Sequence, residues 1–163
     1  IAPIYDDKQI IANRLKDLAA VWSLVSDKFF VRLQEITGKP FPIQQVTGYF
    51  TTAPRLSYNF TEQWFFVPFR TPILLVPTKI AHELLHFHYY AYDEKDVLAH
   101  VTKEQSENIK EALTFLLNEA FSDILVPCDK GYDKHQKLRT HLQTVWQKNK
   151  SYDELINEAI KFI

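Results

Sequence analysis

Histidines at positions 82 and 86, with Glu83 between them, sit in an otherwise apolar run, Ile80-Ala81-His82-Glu83-Leu84-Leu85-His86-Phe87. No other feature constrains the fold as strongly. On a helix, residues four apart are offset by only about 40°, so both imidazoles leave from one face. Ile80, Ala81, Leu84, Leu85 and Phe87 surround them with groups that belong in a core. Three polar side chains buried without partners would cost several kcal/mol, so the fold must bring something to meet them. A divalent cation meets that need. Two imidazole nitrogens one turn apart can reach one Zn²⁺ at about 2.0–2.1 Å, and Glu83 then stands beside the ion, placed to take a proton from a bound water.

A site of this kind needs a third protein ligand. Tyr89 and Tyr92 occupy the positions where HExxHxxGxxH would put its glycine and third histidine, so that pattern is absent. The candidate instead is Glu119, in Leu117-Asn118-Glu119-Ala120-Phe121-Ser122-Asp123. Glu119 and Asp123 are four apart on an apolar background, and two carboxylates on one helix face repel each other unless a cation lies between them and the histidines. His88 points about 200° away from His86 and is read as no ligand of the same ion. His100, in the connecting segment, is likewise not read as a ligand.

The paired motifs HELLH and NEAFSD resemble those of the gluzincin metallopeptidases, the thermolysin-like group in particular, over about residues 73–126. The resemblance implies a zincin-like fold and hydrolysis of peptide bonds. It implies one Zn²⁺ per chain on His82, His86 and Glu119, with Glu83 activating the water on the metal. Asp123 would hold a ligand histidine through its distal N–H, and an edge strand of the upstream sheet would receive an extended peptide or protein substrate. The chain departs from those enzymes in a longer stretch between His86 and Glu119 and in the absence of a large C-terminal domain. No motif marks the residue that would stabilise the oxyanion; Tyr132, His135 and His141 are candidates by position. The rival reading is a catalytically silent or latent zincin-like binding protein, whose surface would use Phe50, Phe60, Trp64, Phe65 and Phe66.

The elements around the motif predict an α+β chain, mostly helical, with a small mixed or antiparallel sheet ahead of the metal-site helix. Apolar residues at three- and four-residue steps predict one or two helices over 6–37, ended by Gly38 and Pro40. Gln45–Thr52, Gln63–Phe69 and Ile73–Val76 read as three strands, with Pro68 marking the middle one as an edge or a bulge. Helices follow over Lys79–Tyr92, from Thr102 or Ser106 to about Val126, over Asp133–Gln147 and over Tyr152–Ile163, the last opened by the capping box Ser151-x-x-Glu154. No linker divides the 163 residues, so a single domain is expected, with segments 1–38, 41–76, 78–126 and 133–163.

A net charge of −1 gives no general attraction for nucleic acid or anionic membranes, and no Gly-rich phosphate loop is present. The stretch from Lys130 to Lys150 is rich in Lys and Arg but lacks interleaved aromatics, which reads as a solvated helix face. No apolar run reaches the roughly 20 residues of a membrane span. Cys128, the single cysteine, reads as a partly buried structural thiol and fits a reducing, cytoplasmic setting. A secreted setting stays open, because the chain begins at Ile1 and a leader could have preceded it.

Overall fold

The computed structural model describes residues 8–52 and 57–163. Most of them are helical: α1 (Lys8–Ser23), α2 (Ser26–Thr37), α3 (Val76–Tyr92), α4 (Glu94–Val97), α5 (Lys103–Leu113), α6 (Leu116–Glu119), α7 (Gln136–Asn149) and α8 (Tyr152–Phe162). Three short strands, β1 (Thr47–Thr51), β2 (Tyr58–Asn59) and β3 (Trp64–Pro68), form one sheet. The chain is therefore α+β, with the sheet ahead of α3. No helix among the described residues is long and apolar enough to cross a membrane.

The sheet is mixed, in the order β1-β3-β2, with β1 parallel to β3 and β2 antiparallel to it. Two expectations fail here. Ile73–Leu75 is a 3-10 turn that leads directly into α3, not a third strand. The fixed φ of Pro72 and Pro77 favours that helical entry. The strand the sequence hid is β2, too short to show a period. β3 is the central strand despite Pro68, which is tolerated because it is the strand's last residue and leaves the ladder intact up to Val67.

α3 runs between two apolar cores. Ala81, Leu84, Leu85 and Phe87 pack with Phe29, Leu33, Phe65, Val67 and Phe121 on one side. Tyr89 joins Ile109, Leu113, Leu142, Trp146 and Leu155 on the other. A helix clad on nearly every face can be apolar nearly all round, and the His82–His86 stripe is its exception.

The segment after α4 also departs from expectation. Thr102 caps α5 with a complete capping box to Gln105, but α5 ends at Leu113 and does not run on to Val126. Amides of Phe115, Leu117 and Asn118 bond to the carbonyls three residues back, at 3.2, 3.1 and 3.0 Å. This tight 3-10 winding rotates the following turn relative to α5. The Thr114 hydroxyl lies 2.8 Å from the Glu111 carbonyl, at the end of the helix.

Candidate metal centre

α3 presents His82 and His86 toward α5, and the residue that α5 brings to them is Glu111. One oxygen or nitrogen from each of His82, His86 and Glu111 falls within 4.8 Å of the others. His86 Nε2 lies 3.3 Å from Glu111 Oε1, and His82 Nε2 lies 3.7 Å from Glu111 Oε2. None of these contacts is a hydrogen bond. Both ring nitrogens of His86 and Oε2 of Glu111 are buried without a partner. Buried polar atoms are nearly always satisfied, so a convergence of unsatisfied nitrogens and a carboxylate oxygen fits a cation held among them. Two imidazoles and a carboxylate are also a donor set that suits Zn²⁺.

Glu119 and Asp123 do not reach the histidines, which corrects the expected ligand set. The 3-10 winding after Leu113 turns α6 away, leaving Glu119 exposed at its end. Asp123, 63 % exposed, makes a bidentate pair with Arg32 of α2, both bonds 3.2 Å. The role expected of Asp123 falls spatially to Asp129. Its Oδ2 lies 2.6 Å from His82 Nδ1, and since a carboxylate only accepts, Nδ1 carries the proton and Nε2 is left facing Glu111.

Asp129 sits in the loop after Pro127 and would be mobile without help. Asn118 clamps its main chain, accepting from Asp129 N at 3.0 Å and donating to Asp129 O at 2.6 Å. The Thr114 hydroxyl lies 2.9 Å from Oδ1. Arg139 of α7, 3 % exposed, reaches Oδ1 and the Asp129 carbonyl, both at 3.0 Å, and Thr114 Oγ1 at 2.6 Å. Asn118, part of the NEAFSD motif, thus serves the site through the loop and not through a ligand beside it.

The charges are arranged accordingly. Burial lowers the His86 pKa to about 4, aided by His82, so the ring is neutral and able to ligate at neutral pH. Burial opposes ionisation of Glu111 and Asp129, but their histidine and cationic neighbours outweigh it and hold both near 2. Burial likewise opposes charge on His82, and Asp129 more than compensates, raising its pKa. Glu83, 8 % exposed, is pushed by burial up to about 7. A carboxylate poised near neutrality can both take and return a proton.

These groups floor a cleft of about 390 Å³ walled by Tyr58, Lys79, Cys128, Lys130 and Tyr132. Tyr58 belongs to β2, so the two-residue edge strand, not the longer β1, borders the cleft. Its ring packs against His86 with centroids 5.7 Å apart. Behind it, Lys110, 2 % exposed, donates to Tyr58 Oη, to Tyr90 Oη at 3.0 Å and to Glu107 Oε2 at 2.6 Å. All three ammonium protons are used, and β2, α3 and α5 are pinned together. Nothing in the sequence distinguished Lys110 or Tyr58.

Of the three residues proposed for oxyanion stabilisation, Tyr132 lines the cleft, 59 % exposed. His135 is buried in a neighbouring cavity, with Nε2 2.9 Å from Asn108 Oδ1. His141 lies on α7, stacked on Phe162 and paired with Glu158 at 3.5 Å. His88 is buried on another face of α3, with Nε2 3.1 Å from Thr37 Oγ1. His100 is exposed before α5, and Cys128 is half-buried at the cleft wall. The chain matches no family model, no curated protein and no solved structure.

Proposed function

We propose that the chain is a zinc-dependent hydrolase of peptide bonds, of the gluzincin type and with a zincin-like fold, in which His82, His86 and Glu111 hold the ion. The observation that carries this reading is the convergence of buried, unpartnered His86 nitrogens and Glu111 Oε2 beside Glu83 in a cleft open to solvent. A zinc ion bound there would bring the pKa of its water toward about 7 and polarise a carbonyl group.

The chain's own residues account for the remaining chemistry. Asp129 fixes the tautomer and orientation of His82. Glu83 takes a proton from the attacking water and delivers it to the departing amine. Tyr132, whose phenol has no hydrogen-bond partner among the described residues, supplies a donor at the cleft wall for the developing oxyanion. Tyr58 and the β2 edge border the floor where an extended peptide would lie. The open cleft favours this reading over a silent binding protein, in which the chain itself would plug the site.

Glu83→Gln tests the assignment. Zinc content should stay at about one per chain while hydrolysis of a peptide mixture is lost; turnover in that variant would remove Glu83 as the base. His86→Ala should lose the zinc, and a full complement of metal in it would place the site elsewhere.

A further inference from the structure

The basic stretch that begins at Lys130 is not a uniformly solvated face. Its first members turn toward the cleft: Lys130 lines the cavity over the metal centre, and Lys134 lines an adjoining cavity of about 320 Å³ that shares Glu111 and Tyr132 with it. Lys137, Lys148 and Lys150, further along, line neither. From the opposite wall, α3 contributes Lys79, just under one turn before His82.

The acids of both cavities are already committed within the walls. Glu111 faces the two histidines, Asp129 is held by His82 and Arg139, and Glu107 is taken by Lys110 and Tyr90. Glu83 is buried at the floor, where the charges of Lys110 and Lys79 act on it through space without a direct ion pair. Lys79, Lys130 and Lys134 have no ion pair or side-chain hydrogen bond among the described residues. The charge left over for a visitor is therefore positive, and it lies on both flanks of the metal centre.

We infer that this cleft selects peptides with acidic side chains close to the bond to be cut, recognised by Lys79 on one wall and by Lys130 and Lys134 on the other. Its description as a substrate preference rests on the peptidase reading above; the surface itself does not. Ammonium groups at a cleft rim contribute modestly one by one, up to about fivefold each for exposed contacts, and they are screened by salt. Their combined effect is selection among sequences more than raw affinity.

The test uses zinc-loaded Glu83→Gln protein and two fluorescent peptides matched in length and apolar content, one with Glu flanking the centre and one with Lys. Anisotropy should show the acidic peptide bound about tenfold more tightly at low salt, with the gap closing at about 0.5 M salt. Lys130→Ala/Lys134→Ala should shrink the gap, and Lys130→Glu/Lys134→Glu should reverse it, both with zinc content unchanged. Equal affinity for the two peptides overturns the inference. So does a preference that survives both double variants, since the metal alone would then be attracting the acids. An acid preference in binding, with neither peptide cut by the zinc-loaded protein carrying Glu83, supports the surface and refutes the peptidase reading.

Discussion

Asp129→Asn separates a site built around a metal from a merely well-bonded core. Three donors converge on the Asp129 carboxylate: His82 Nδ1–H at 2.6 Å, Thr114 Oγ1 at 2.9 Å and Arg139 Nη2 at 3.0 Å. An amide offers one oxygen and turns an NH₂ toward the other side. Whichever way it flips, a donor is left facing a donor. Removing one partner of a buried ion pair typically costs about 3–5 kcal/mol. The loss should fall near the lower figure, because Arg139 keeps Thr114 Oγ1 and the Asp129 carbonyl. For a domain of this size that is a fall in Tm of about 6–12 °C. Separately, loss of the carboxylate behind a ligating histidine weakens metal binding by about 10–100-fold. The assays are thermal melting of chelator-treated protein and zinc affinity by competition with a fluorescent chelator. The pH dependence adds an independent sign. With its pKa held near 2, below the ordinary 3.8 of an aspartate, Asp129 stabilises the fold fully above about pH 4, and that contribution fades as pH falls toward 2. The Asn variant lacks that acid-side loss. Zinc affinity within twofold of the parent protein would refute the role assigned to Asp129, whatever happens to stability.

Other outcomes follow from the same geometry. Glu111→Ala should abolish stoichiometric zinc binding, whereas Glu119→Ala should leave it intact; the reverse result would return the third ligand to α6. Treatment with a strong chelator should lower Tm by roughly 8–16 °C relative to protein in zinc at about a thousandfold excess over Kd, since the ion binds only the folded chain; an unchanged Tm would deny the site. Gly131 has a positive φ of 63°, and a Cβ there would lie 2.8 Å from Arg139 Cδ. Gly131→Ala should therefore destabilise by about 1–3 kcal/mol and loosen zinc binding through Arg139 and Asp129, and a neutral melting curve would show that the loop yields without consequence.

The parts of the site that could be read from the sequence are those that depend on one helix. His82, Glu83 and His86 need only the 3.6-residue period and an apolar background. Glu111 was equally available in principle, since Glu107 and Glu111 are also four apart and the capping box at Thr102 sets the phase of α5. Spacing alone favours Glu119 and Asp123, which form the better pair on a helix that continues to Val126, whereas α5 ends at Leu113. The 3-10 turn that breaks that helix is stabilised by tertiary partners, Arg139 and Asp129 among them, which no local propensity announces. Asp129 itself lies in a loop, where spacing carries no facing information. The buried Lys110 could not be read either, since an isolated lysine in a polar helix is ordinarily a surface residue. The sheet was legible as β-rich texture but not in its order, because β2 contributes only Tyr58 and Asn59.

The clamp on Asp129 also imposes an order in time. Arg139 lies in α7, well after the HELLH helix in the chain, so a polypeptide emerging from the ribosome exposes His82, Glu83, His86 and Glu111 before the residue that locks their supporting loop has been made. The nascent chain carries the motif without the finished centre until α7 has emerged and Arg139 has packed onto Asp129.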